Sequence, residues 1–454
     1  MIQEKIKRQN AFFNSNQTKD VTYRIKHLKK LREEIQKKEK EIIEALYEDL
    51  GKSYFEAYSS EVGFLLESLD YTIKNLKKWT KPKRKRSPLF MPISKSKIFY
   101  EPLGVILVIG PFNYPFQLVI EPLIGAIAAG NTCLLKPSEK TAHTNQILQE
   151  IIEEVFEPEY VDVICGGKEV VTELIHSEVQ HIFFTGSANV GKVIMEAASK
   201  QLIPVTLELG GKSPTIVHKD ADIEKAASRI VWGKYYNVGQ TCIAPDYVYV
   251  HQSIKAKFLE AIQKKIIEFY GVDAFSSSDY GRIIDEEAFN RLMELIDASK
   301  IYHGGEVDRN RLKIAPTVLT EVNWADAVMQ EEIFGPILPV LSYENLEETL
   351  ALVKNKPKPL AFYFFSENKT LQKHVIESLP FGGGCINDTI SHVTSPRLPF
   401  GGIGSSGMGA YHGKESFFTF SHKKAIMKKS THLDIKAMYP PYKGKLKWLK
   451  KIMK

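Results

Sequence analysis

From Glu101 onward the chain alternates short, unbroken apolar runs with longer stretches whose apolar positions recur every three or four residues. The runs at 105–109, 132–135, 160–164 and 181–184 show no polar alternation, so they predict strands buried on both faces. Helical periodicity fills 116–129, 141–155, 169–176 and 190–200 between them. That order predicts a doubly wound parallel sheet. The pattern resumes after Gly210, with strands at 215–217 and 247–251 and helices at 223–236, 255–269 and around 286–298. The expected fold class is therefore α/β, with two Rossmann-like domains. Residues before 80 read as helical and amphipathic, and the proline-, lysine- and arginine-rich stretch 82–92 breaks them off like a linker. The longest membrane-span candidate, 118–129, contains Glu121, Pro122 and Gly125 and falls short of the roughly 20 residues a bilayer needs, so it reads as a buried helix.

Composition narrows the picture. A chain of 454 residues with 43% hydrophobic content has material for two or three domains with large cores, which excludes a disordered or fibrous protein. The formal charge of +7 is modest, and its basic excess gathers at 81–86 and near the end of the chain. Such runs are usually solvated faces, so no nucleic-acid partner is expected. In the last ten residues Leu446, Leu449, Ile452 and Met453 recur at helical spacing between Lys445, Lys447, Lys450, Lys451 and Lys454. A basic amphipathic helix of this kind suits an anionic membrane, but a segment this short buries little apolar area, and a solvated or subunit-packed tail is the expectation. The N-terminus lacks the apolar core of a signal peptide, and Cys133, Cys165, Cys242 and Cys385 are scattered without metal-ligand spacing. Reduced thiols in the cytoplasm and no metal site are expected. Cys133, Cys165 and Cys385, in apolar or glycine-rich surroundings, read as packing residues.

The candidate chemistry centres on Glu208, in Leu-Glu-Leu-Gly-Gly-Lys (207–212), and Cys242, in Gly-Gln-Thr-Cys (239–242). A thiolate can attack an electrophilic carbon, and a nearby carboxylate can deprotonate the water that hydrolyses the resulting thioester. Taken alone, a single cysteine is more often a small buried hydrophobe, and Glu208 has an alternative partner in Lys212. Phe183 to Gly191 reads as a strand, a tight turn at Gly186 and Ser187, and a helix start, where free backbone N–H groups suit a pyrophosphate. Its Gly-Ser-x-x-x-Gly spacing, ending at Gly191, departs from Gly-x-Gly-x-x-Gly, and an ordinary βα turn fits it as well. Lys136 and Glu139 follow another strand of the same domain, Asn113 sits in a turn, and Glu332 and Phe334 lie in Glu-Glu-Ile-Phe-Gly-Pro (331–336).

These stretches, in order from about Tyr100 to Lys424, resemble the aldehyde dehydrogenase superfamily. The others that match are Gly-Pro-Phe-Asn-Tyr-Pro (110–115), Leu-Lys-Pro-Ser-Glu (135–139), Phe-Thr-Gly-Ser (184–187) and Leu-Pro-Phe-Gly-Gly (398–402). The little chain ahead of the first motif, Gly-Met-Gly-Ala-Tyr-His-Gly-Lys (407–414) and Tyr-Pro-Pro-Tyr (439–442) are similar to the class 3 branch. The resemblance implies oxidation of medium- to long-chain aliphatic or aromatic aldehydes, with Cys242 as nucleophile, Glu208 as base for water, and Asn113 with the Cys242 backbone N–H as oxyanion donors. It implies ribose contacts by Lys136 and Glu139, phosphate contacts around Gly186, Ser187 and Gly191, and nicotinamide-side contacts by Glu332 and Phe334, with Glu331 left solvated. A carboxylate at Glu139 favours NAD over a 2'-phosphate, although some relatives with this arrangement accept NADP. The implied domains are 1–80 with 99–209 for NAD binding, 210–410 for catalysis, 81–98 with 411–432 as an arm joining a homodimer, and 433–454 as a basic tail. Tyr235, Tyr236 and Ile243 are expected to line an apolar tunnel, and His412 is either packed or a substrate-entrance residue. Two alternatives stay open at this point: release of the acyl group to coenzyme A, which would not need Glu208, and a silent binding protein, which would not need Cys242.

Overall fold

The computed structural model describes every residue except 1, 89, 90, 92, 93, 434, 453 and 454, so Met453 and Lys454 of the tail lie outside the described residues. Two open sheets dominate. The first has the order Gly407–Met408, Val205–Glu208, His181–Thr185, Val105–Ile109, Thr132–Lys136, Val161–Val163, parallel throughout except for the short returning strand Gly407–Met408. The second has the order Ile301–His303, Thr317–Leu319, Ile337–Tyr343, Tyr247–His251, Pro214–Val217, Ala361–Phe365, Gly383–Ile386, with only Ile301–His303 antiparallel to its neighbour.

The strand Val105–Ile109 shows why the apolar runs lack alternation. Val105, Leu107 and Ile109 belong to one buried cluster with Ile182, Phe184 and Ile194, while Ile106 and Val108 belong to the other, with Phe183 and Ile127. Both faces of the sheet are covered, so both sets of side chains must be apolar. The strands at 205–208, 337–343, 361–365 and 383–386 were not among those read from the sequence; Val205–Glu208 is four residues long and ends on a carboxylate, which hides it from an apolar-run criterion.

A third, antiparallel sheet pairs Lys83–Lys85 with Ser94–Pro102, and Ser94–Pro102 with Ser421–Lys429 in register from Ser94↔Lys429 to Pro102↔Ser421. The stretch that read as a linker is thus partly strand, and Ser94–Pro102 runs unbroken across the boundary drawn at 98/99. In the tail, a helix spans Leu446–Ile452, with Leu446 and Trp448 exposed.

Of the N-terminal helices, Val21–Lys37 and Gly63–Trp79 pack against the helix Gln117–Ala129, every residue of which is buried, while Glu39–Leu50 packs on Ala142–Val155 and Ile2–Asn14 lies against the strands Val105–Ile109 and Thr132–Lys136. Their tightest polar link is Glu61, in a wide helical turn at Tyr58–Val62. One carboxylate oxygen is ion-paired with Lys52; the other accepts the backbone N–H of Phe116 at 2.9 Å and of Gln117 at 3.1 Å. The carboxylate thereby satisfies donors that the N-terminus of Gln117–Ala129 leaves unpaired. Burial pulls the Lys52 ammonium below its ordinary value, and the Glu61 charge opposes that. Because both charges are fully buried, removing one partner strands the other. Glu61→Ala is expected to lower unfolding stability by about 3–5 kcal/mol in a denaturant titration, and Lys52→Met combined with Glu61→Leu to lose less than the sum of the two single changes.

Candidate active site

The parallel strands of the first sheet end side by side. Ile109 is in register with Lys136 and with Phe184, and Thr185 with Glu208. Carboxyl ends of strands in open α/β sheets are where ligands gather, because the turns leaving them point backbone N–H groups into one crevice. Lys136 is buried and donates from Nζ to Glu139 Oε2 at 2.7 Å, while Glu139 itself is half exposed. Partial burial raises the Glu139 carboxyl, but the Lys136 hydrogen bond and charge outweigh this and hold it below its usual range. Next to these, Gly186 donates its N–H to the Glu208 carbonyl at 3.0 Å, and Ser187 caps the helix Ala188–Ser199 by accepting the Val190 N–H. Gly191 in that helix lies under Leu209, and the buried Thr185 hydroxyl has no hydrogen-bond partner. A capped helix N-terminus, an unpaired hydroxyl at the turn, and a half-exposed carboxylate anchored on a lysine fit the phosphate and ribose groups of a dinucleotide.

Glu208 closes its strand with both carboxylate oxygens buried and unbonded. Burial pushes its carboxyl well above the ordinary value. Lys212, the alternative partner, is engaged elsewhere: it pairs with Asp246 and donates to the carbonyls of Val328 and Glu331 at 2.9 Å. Asp246 in turn accepts the Ile333 N–H at 2.9 Å, which fixes the segment carrying Glu332 and Phe334. Burial, then the Asp246 charge, pushes the Glu332 carboxyl up to about 8. A Cβ on Gly210 would stand 1.9 Å from Glu332 Oε2, so the first glycine of Leu-Gly-Gly makes room for that side chain. Phe334 adopts φ +52° and meets Phe112 edge-on, with centroids 5.8 Å apart.

Cys242 sits on the loop leading into Tyr247–His251 of the second sheet and is half-buried. Asn237, Val238 and Gly239 are successive left-handed residues at φ 51°, 56° and 75°. Only this sharp reversal lets the chain turn back toward the first sheet. It is tied across the interface by Asn113 Nδ2 donating to the Gln240 carbonyl at 2.9 Å, and by Asn237 Nδ2 donating to the Asn113 carbonyl at 2.9 Å. Tyr114 OH and Thr241 Oγ1 share a bond of 2.6 Å, and Tyr363 OH donates to the Ile243 carbonyl at 2.6 Å. Burial first, then the negative charges of Glu332 and Glu208, push the Cys242 thiol up. Thiol and carboxylates therefore share one dry pocket.

A family model described as the aldehyde dehydrogenase family matches residues 2–426. The chain belongs to that family. It is an NAD(P)-dependent aldehyde dehydrogenase, an oxidoreductase that converts aldehydes to carboxylic acids. It is 50% identical to the 4,4'-diaponeurosporen-aldehyde dehydrogenase of Staphylococcus aureus (strain NCTC 8325 / PS 47), over 100% of this chain and 99% of that one. It is 45% identical to the dimeric NADP-preferring aldehyde dehydrogenase of Rattus norvegicus, over 98% of this chain and 99% of that one. Among solved structures, the substrate-bound Staphylococcus aureus AldH superimposes with a TM-score of 0.98 at 50% identity, with 100% of both chains covered.

In this aldehyde dehydrogenase, Lys136, Glu139, Gly186, Ser187 and Glu208 line the end of one sheet, and Asn113 and Cys242 meet on the loops between the two sheets. Two expectations change. Tyr235 turns into the core of the second sheet, donating to the Thr317 carbonyl at 3.3 Å, rather than lining a tunnel. Cys165 is exposed rather than packed. The Tyr236 hydroxyl is 2.7 Å from Ser59 Oγ. Sequence reasoning missed Lys52, Glu61, Asn237 and Asp246, because their roles come from contacts with residues far along the chain; an asparagine shortly before Gly-Gln-Thr-Cys, a residue tolerant of positive φ, was the one available signal.

The glycine before the cysteine is a sharp test of this geometry. At Gly239 a Cβ would lie 2.3 Å from the Gly335 carbonyl oxygen, on top of the positive φ. Gly239→Ala is expected to cost about 1–3 kcal/mol in thermal or chemical unfolding and to cut aldehyde turnover on the order of a hundredfold by displacing the following loop.

Proposed function

We propose that Cys242, Glu208 and Asn113 carry the oxidation. The observation that supports this reading most directly is the Glu208 carboxyl: buried, unbonded and electrostatically felt by the Cys242 thiol. The Cys242 sulfur, its proton given up to water, adds as the thiolate to the aldehyde carbon, forming a C–S bond as the carbonyl π pair moves onto oxygen and leaves a thiohemiacetal oxyanion. The Asn113 amide and the Cys242 backbone N–H are its donors, the Asn113 side chain exchanging its present bond to Gln240 for the substrate. A nicotinamide held by Lys136, Glu139, Gly186, Ser187, Gly191, Glu332 and Phe334 supplies the hydride acceptor. The thioester left on Cys242 is hydrolysed when Glu208 takes a proton from water, whose oxygen attacks the acyl carbon as the C–S bond breaks. An unengaged buried base favours water over coenzyme A as the acyl acceptor.

The domain roles follow: 1–80 with 99–209 bind the dinucleotide, 210–410 present the cysteine, and the sheet formed by 81–98 and 411–432 joins two copies. A homodimer is supported by the exposed strand Ser421–Lys429, which offers its free edge to a neighbour, and by the dimeric state printed for the rat relative. We assign the substrates to medium- and long-chain aliphatic or aromatic aldehydes, a reading in keeping with the 4,4'-diaponeurosporen-aldehyde in the name of the Staphylococcus aureus relative. NAD is the cofactor favoured by the Glu139 carboxylate, with NADP accepted in the manner of the rat relative's name. A reduced, cytoplasmic setting suits the free cysteines. The basic tail 433–454 is read as solvated.

Cys242→Ala is expected to abolish aldehyde-dependent cofactor reduction while NAD binding, followed by calorimetry, changes less than about threefold; substantial turnover by this variant would overturn the mechanism. Glu208→Gln is expected to keep a first-turnover burst of reduced cofactor and to slow the steady state by at least about a hundredfold. Because burial raises the Glu208 carboxyl, the base form is lost as pH falls through that raised value. Wild-type steady-state turnover is expected to climb as pH rises through that raised value, and the Glu208→Gln profile to lose that climb. Sedimentation at micromolar concentration is expected to show a dimer, and a monomer there would sink the arm's assigned role.

A further inference from the structure

A recess beside the reaction centre collects buried polar atoms that the oxidation does not use. It is lined by Phe64, Ser68, Glu121, Thr394, Pro396 and His412, with the exposed Glu67 at its mouth, and encloses about 200 Å³ of empty space, part of it continuous with solvent. Glu121 projects from the buried helix Gln117–Ala129, Ser68 from Gly63–Trp79, and His412 caps Gly413–Thr419 with φ 80°. Glu121 Oε2, Ser68 Oγ and His412 Nε2 are each buried without a hydrogen-bond partner. Ser68 and Glu121 are near enough to influence each other, yet none of the three atoms, drawn from three separate helical elements onto one small recess, has a well-formed bond, which is costly to leave unmet.

The state of these groups defines what they can bind. Burial pushes the Glu121 carboxyl up to about 7, with the neighbouring Ser68 opposing it, so around neutrality the acid is substantially protonated and can donate. The His412 ring is neutral, pulled down to about 3 by burial and then by His392, and it is held between Phe400, stacked at 5.3 Å, and Phe64, edge-on at 5.5 Å. The recess also adjoins the chemistry. Tyr411, which packs on His412 at 4.4 Å, has its hydroxyl raised by burial and then by the charges of Glu208, Glu121 and Cys242.

Resting on the aldehyde-oxidising role of Cys242, we propose that this recess is a specificity subsite for a hydroxyl group carried along the substrate's own chain. Glu121 donates to the hydroxyl oxygen, while Ser68 and His412 complete its bonds. The substrates favoured there are hydroxyaldehydes whose second oxygen reaches Glu121, and an all-hydrocarbon chain leaves the three groups unpaired. A site that hydrogen-bonds a substrate hydroxyl discriminates strongly against the analogue without it.

The test is a series of ω-hydroxyalkanals of successive length, each compared by kcat/KM with the alkanal of equal length, on the intact enzyme. Wild type is expected to favour the hydroxyl at one or two adjacent lengths by about tenfold or more. Glu121→Leu is expected to bring that ratio to within about twofold of unity, and Glu121→Gln, which still hydrogen-bonds, to restore a preference of at least about fivefold. The ratio within each variant cancels any general loss of turnover, and NAD binding by each variant checks that it folds. A flat ratio at every length in wild type, an undiminished ratio in Glu121→Leu, or a stronger preference for ω-aminoalkanals would overturn the subsite. Alkanal oxidation by wild type in any of these outcomes leaves the reaction itself standing, whereas no oxidation of either series would overturn both.

Discussion

The carboxylate of Glu61 is the constraint on which the rest of the site hangs. It has no solvent contact, yet it carries a charge, and that charge is tolerable only because Lys52 and two backbone N–H groups surround it. The N–H groups belong to Phe116 and Gln117, so the ion pair fixes where the helix Gln117–Ala129 begins and where the preceding turn with Asn113 and Tyr114 must lie. The Lys52 ammonium also sits 4.0 Å over the Tyr114 ring, whose hydroxyl bonds Thr241, the residue before Cys242. A short polar path thus runs from an N-terminal helical turn to the loop that carries Cys242.

The second fastening is the left-handed bend at Asn237–Gly239. Asn237, buried, bonds the Asn113 carbonyl through its side chain, and its own backbone N–H is taken by Glu56 Oε2 at 3.2 Å. The bend is strained, and the strain is held by bonds from both sheets. Asp246 performs a similar service on the far side, holding Lys212 away from Glu208 and pinning the Glu332 segment. The result is a pocket in which burial outweighs any favourable charge: no cation acts on Cys242 or Glu208, and Lys212 and Arg291 only partly offset the burial of Glu332. All three are pushed toward their neutral forms by burial, so charge enters this pocket with ligands and leaves with products.

The same dry interior explains the polar recess beside His412. Gln117–Ala129 is buried on every side, and a carboxylic acid on such a helix survives as a neutral group. The helix thereby both covers one face of the first sheet and carries a buried acid beside the recess.

How much of this was legible in the chain depended on the range of the interactions. The sequence alone determined the alternating α/β order, because burial of a sheet on both faces demands uniform apolar runs such as Val105–Ile109, and strand ends near Lys136 and Thr185 follow from where those runs stop. It also marked Glu208, Cys242 and the Gly186–Ser187 turn, since local motifs with glycines are visible wherever they occur. The strand Val205–Glu208 escaped because a short strand ending on a charge has no pattern of its own. What only the tertiary structure decided was partnership: Lys212 with Asp246 instead of Glu208, Tyr235 with the second core instead of the substrate, and Glu61 with a helix that begins 56 residues later. Composition and spacing report what a residue can bond to, whereas the choice among distant candidates is made by how two sheets and their helices pack, and a linear pattern carries no record of that.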